Sequence, residues 1–151
     1  MMDNQSSLPP TIADLPLEAQ VNVMFEVAPY LQAKIKQHCD LGDQTEAQGL
    51  LQVLRFLALI NDNTPAVLTP SERVDQIWHQ LILCTKLYSQ YCTTLYRQYL
   101  HHTPSDETQQ NHQQFELCLQ QYHQRFGQPD PWFWGAPLLV STAGACSGCE
   151  S

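Results

Sequence analysis

The sequence predicts an all-α protein: an antiparallel bundle of about four helices, spanning residues 14–135, between an irregular leader (1–13) and a loose, cysteine-containing tail (136–151). Three observations lead there. Apolar residues recur at alternating four and three spacing over several long segments, no segment alternates apolar and polar with period two, and helix start and stop signals fall between the periodic segments. With no internal repeat, short connections between such helices favour an antiparallel bundle around one core.

The leader contains Ser6-Ser7 and Pro9-Pro10 and lacks periodicity. Leu17, Val21, Met24, Ala28, Leu31 and Ile35 mark one face of a first helix running from about Asp14 to Cys39, with Gly42 as its stop. A second helix is predicted from Thr45 to Ile60, turning Leu50, Leu51, Leu54, Leu57 and Ala58 inward and ending at Asn61–Pro65. Thr69 as cap, Pro70 at the first helical position and Glu72 three residues after the cap predict the start of a third helix. Its pattern continues through Ile77, Trp78, Leu81, Tyr88, Cys92 and Tyr99 with no Gly or Pro before Pro104, as one very long helix or two separated by a kink. Asp106 is the expected cap of a fourth helix, with Phe115, Cys118, Leu119, Tyr122 and Phe126 inward and Gly127 as its stop. The Trp132-Phe133-Trp134 triplet is expected to dock on the helices.

A chain of 151 residues is the size of one domain and can bury about 70% of its unfolded surface, enough for a core without staples. The longest apolar stretch, Leu50 to Ile60, falls short of the roughly 20 residues a spanning helix needs, and the first residues do not read as a secretory signal. A cytoplasmic protein with no membrane partner is expected. The formal charge of −8 and the scattered Lys and Arg residues argue against nucleic acid as a partner, because that affinity needs clustered positive charge. Six cysteines could form three disulfides, but Cys39, Cys84, Cys92 and Cys118 lie in helical patterns where a free thiol behaves as a small hydrophobe.

The chemistry-bearing residues concentrate between Val74 and Pro104. Asp75 and His79, four apart, share a helix face, so the carboxylate can hydrogen-bond the imidazole or both can reach one divalent metal such as zinc; an aspartate-paired structural histidine fits the same spacing. Cys92, His101 and His102 are the further candidate metal ligands. On a straight helix His79 would lie about 20 Å from Cys92 and about 33 Å from His101, so a shared site requires a kink or a chain reversal. Cys146 and Cys149 have the spacing of half a zinc knuckle or a thiol pair, with no second pair to complete it. No phosphate loop, His-Glu-x-x-His, nucleophile elbow or Ser/His/Asp set is present.

The string Val74-Asp75-Gln76-Ile77-Trp78-His79, followed by Tyr88, Cys92 and His101-His102-Thr103-Pro104, resembles the short bacterial relatives of the glycine-rich domain-containing protein-like family, over about Thr69 to Pro104. The resemblance carries over Asp75, Trp78, His79, Tyr88, Cys92 and His101 or His102 and implies no activity; where larger relatives have a second histidine, this chain has Leu81. Three functional readings follow: a helical binding module holding a metal or polar ligand at Asp75 and His79, a protein-interaction module in which the Trp, His and Tyr residues are structural, and a Cys/His-based enzyme, the least favoured.

Overall fold

A computed structural model describes residues 7–102 and 107–135 of the chain. The cap expected at Asp106 and the Cys146/Cys149 tail lie outside the described residues. Among the described residues there is a 3-10 turn, Pro10–Asp14, followed by seven α-helices: α1 (Leu17–Val27), α2 (Pro29–His38), α3 (Glu46–Asn63), α4 (Glu72–Leu83), α5 (Thr85–Tyr96), α6 (Thr108–Phe126) and α7 (Pro131–Trp134). The all-α class is as the sequence predicts, and the count of about four helices is too low. None of these helices is long and apolar enough to cross a membrane.

Two of the expected helices are broken, for different reasons. The first divides at Ala28–Pro29: proline lacks an N–H and disfavours helical geometry in its predecessor, and Ala28 has φ −134° and ψ 75°. The long third helix divides at Cys84 (φ −84°, ψ 69°), with no glycine or proline nearby, so that break is imposed by tertiary contacts. The leader is ordered where it meets the core, since Ile12 is fully buried and the Leu8 N–H donates to Gln90 Oε1 at 3.1 Å.

α3 is the central helix, packed against α1, α2, α4 and α6 and buried over most of its circumference. It starts as expected, with a reciprocal capping box between Thr45 and Gln48. Gly49 lies at the α3–α4 contact: a Cβ there would come within 2.8 Å of Ile77 Cδ1, so the missing side chain lets the two helices approach.

The start of α4 differs from the expected box. Ser71 is the cap, accepting from the Val74 N–H at 3.1 Å while its hydroxyl donates to the Phe133 carbonyl of α7. Thr69 instead donates through Oγ1 to Gln114 Oε1 of α6 at 2.8 Å. Both hydroxyls are used to join elements, and that of Ser71 also caps the start of α4.

The aromatic triplet docks as anticipated. Phe133 and Trp134 are fully buried, Trp134 Nε1 donates to Gln52 Oε1 at 2.8 Å, and the Arg73 guanidinium stacks on the Trp132 ring at 3.5 Å. Under that ring lies Gly42, with φ +58°. A Cβ there would sit 2.7 Å from two Trp132 ring carbons, so Gly42→Ala combines left-handed strain with a clash. A loss of about 2 kcal/mol is expected, read as a lower urea midpoint with an unchanged m-value.

Candidate functional site

The apolar residues of α4, Val74, Ile77, Trp78 and Leu81, are buried at i, i+3, i+4 and i+7 and fix the rotation of the helix. Asp75 is thereby left at the rim and His79 in solvent. The kink at Cys84 then brings the first turn of α5 against Trp78, whose Nε1 donates to the Tyr88 hydroxyl at 3.0 Å. At the far end of α5, Arg97 adopts the left-handed conformation (φ 58°) and the chain reverses. This return segment, residues 98–102, runs back over the two helices.

The return segment is held at three points. The Tyr88 hydroxyl donates to the Leu100 carbonyl, and Leu100 is itself buried. Cys92, fully buried, lies against the Leu100 backbone and the Tyr88 hydroxyl. His102 Nε2 lies 2.6 Å from Asp75 Oδ1, and its ring packs on Trp78 at 4.6 Å between centroids. Outside this clasp, Tyr99 packs edge-on to Tyr88 at 5.1 Å and His101 packs on Tyr99 at 4.7 Å, both exposed.

The chain thus has both the kink and the reversal that a shared site would require, and the pairing they produce differs from the one the spacing suggests. Asp75 meets His102, 27 residues away, rather than His79. His79 is exposed, and its side chain makes no hydrogen bond to another described residue. An i, i+4 pair on a solvated face gains only a few tenths of a kcal/mol. His102, leaning on an indole and 24% exposed, offers the carboxylate a better-shielded partner.

Burial determines the chemistry of the remaining groups. It raises the Cys92 thiol, with the Leu100 backbone and the Tyr88 hydroxyl pulling it back in part, and it raises Tyr88. Burial alone lifts Cys39 to about 11 and raises Cys118 further. These are protonated thiols at neutral pH, without the lowered pKa that marks a nucleophile. Among the described residues no group of three or more His, Cys, Asp and Glu side chains stands where it could hold a metal ion.

Of the five ligand candidates, the structure brings together Asp75 and His102, buries Cys92 under the same return segment, and leaves His79 and His101 on the outside. Sequence reasoning missed the Leu100 carbonyl, the acceptor that closes the clasp, because a main-chain acceptor leaves no mark in the sequence. It also missed Gln52, whose Oε1 accepts from both Tyr122 and Trp134. A polar residue inside the apolar Leu50–Ile60 run was the available signal.

Fold and clasp together define a small all-α module whose Trp-His segment ties α4 and α5 to the chain that follows them. The chain belongs to the UCP032817-like family, whose model matches residues 18–126, from the first turn of α1 to the end of α6. That description names no activity. It also corrects the resemblance drawn from the Asp-x-x-Trp-His string: the match is to this family and not to the glycine-rich domain-containing proteins. Comparison with curated proteins and with solved structures returned no match.

Proposed function

We propose that the protein is a small helical binding module that engages a protein partner through the polar, aromatic face beside the clasp, formed by Tyr99 and His101. One observation carries this reading: Asp75, Trp78, Tyr88, Cys92 and His102 are engaged with one another or with Leu100. Their polar groups fix the return segment, and the exposed Tyr99 and His101 are thereby presented on a stiff support. Tyrosine is enriched at interfaces because it supplies a large amphipathic surface at low entropic cost, and pre-organisation lowers the cost further.

The competing reading, a divalent metal such as zinc held by Asp75, His79, Cys92, His101 and His102, makes opposite predictions. Protein purified without a tag is expected to carry no stoichiometric metal, and a chelator is expected to move its Tm by less than about 1 °C. Stoichiometric zinc, lost in Asp75→Asn, would overturn the interaction reading. Tyr99→Ala with His101→Ala is expected to change Tm by no more than about 3 °C. The same pair should lose a partner that wild type retains in cross-linking, and equal capture by both proteins would count against this face.

A further inference from the structure

A second face, around the α4–α5 kink, stands apart from the clasp. Leu83 and Tyr30 are exposed apolar and aromatic side chains, at 61% and 52% of their surface. Tyr30 lies against the kink: its hydroxyl is close to the thiol of Cys84, the residue after Leu83. Lys34, one turn beyond Tyr30 on α2, is close enough to Cys84 for its charge to act on the thiol. Lys86, three residues past Leu83 in the first turn of α5, is exposed.

The charge distribution singles out this face. The protein carries 15 Asp and Glu residues against seven Lys and Arg, yet no carboxylate occurs between Glu26 and Asp40 or between Asp75 and Asp106. Those two acid-free stretches contain the whole of α2, the last two turns of α4 and the whole of α5. The ion pairs among the described residues use Arg55, Arg73, Arg125 and His102 and none of the three lysines, Lys34, Lys36 and Lys86. Unpaired positive charge on an otherwise acidic protein therefore borders two exposed apolar side chains.

We propose that the Tyr30–Leu83 face docks an acidic segment of a partner protein, with an apolar side chain of that segment seated on Tyr30 and Leu83 and its carboxylates facing Lys34 and Lys86. Exposed apolar surface rimmed by charge of one sign is the pattern of an interaction site, and the sign selects the partner. The rest of the molecule, rich in carboxylates, repels the same segment and directs it to this face. This face shares no residue with the Tyr99–His101 face.

The test uses the full chain and a fluorescein-labelled peptide, Asp-Glu-Glu-Leu-Phe-Glu-Glu, read by anisotropy. Wild type is expected to bind it and to ignore a counterpart with lysine in place of each acid. Lys34→Glu combined with Lys86→Glu is expected to weaken binding at least about tenfold, and Leu83→Ser about as much, without a change in the circular dichroism spectrum. Tyr99→Ala should leave binding intact, which separates this face from the other. Equal affinity for the two peptides, no affinity for either, or undiminished binding by the double lysine variant overturns the proposal. So does a dimer of the chain, seen by sedimentation, that the double variant abolishes and the acidic peptide does not displace.

Discussion

Trp134→Ala is expected to lower stability by about 4 kcal/mol, the upper part of the range for removing a large aromatic from a core. The indole is fully buried, packs on Tyr122 at 5.2 Å and Phe56 at 6.3 Å, and donates to Gln52 Oε1. Truncation leaves a cavity among α3, α6 and α7 and removes one of the two donors that satisfy a buried amide oxygen. At about 2–4 °C per kcal/mol for a chain of this size, Tm should fall by roughly 8–16 °C. Trp132→Ala, at the half-buried neighbour, should cost clearly less. Equal losses for the two in urea unfolding would mean that α7 is a surface latch and not part of the core.

Tyr88→Phe carries the second-largest expected effect and tests the clasp directly. The hydroxyl accepts from Trp78 Nε1 and donates to the Leu100 carbonyl, so its removal orphans a donor and an acceptor while preserving the ring. A buried group left without a partner costs about 1–3 kcal/mol, which places the loss at about 3 kcal/mol for the pair. The loss should be accompanied by faster hydrogen exchange at residues 98–102, with the protection of α3 falling only as far as global stability does. Asp75→Asn should cost no more than about 1 kcal/mol, because the carboxylate is 42% exposed and screened by solvent. If Tyr88→Phe proved as mild as Asp75→Asn, the return segment would be held by burial of Leu100 and not by its hydrogen bonds.

Elements with a local cause were legible in the sequence. The Thr45 box opens α3 where expected, Gly127 ends α6, and the inward faces Val21–Met24–Leu31–Ile35 and Cys118–Leu119–Tyr122 are the buried ones. The break at Pro29 was missed although its physics is local, because the periodicity that runs across it suggests one helix. The cap at Ser71 was less so: three hydroxyl or proline positions compete within Thr69–Ser71, and contacts from α6 and α7 decide among them.

The candidate site shows the same division. The density of Asp75, Trp78, His79, Tyr88, Cys92, His101 and His102 in one segment could be read from the sequence. Their pairing could not, because Cys84 and Arg97 carry no sequence signal for a kink or a left-handed turn, and those two residues set which imidazole reaches Asp75. A short string of Trp and His on a helix also serves many folds, which is why the family was identified by the match over residues 18–126 and not by the motif.

By itself, the sequence determined that this is a helical protein, which face of most of its helices turns inward, and where its carboxylates are absent. Each of these follows from spacing or composition, and a spacing of three and four residues places side chains on one face whatever surrounds the helix. Only the tertiary structure decided that Asp75 serves His102, that Cys92 lies under Leu100 and that His79 faces solvent. Those outcomes depend on where a chain reversal lands, and that is selected by the packing of Leu100, Trp78 and Tyr88 across helices far apart in the chain.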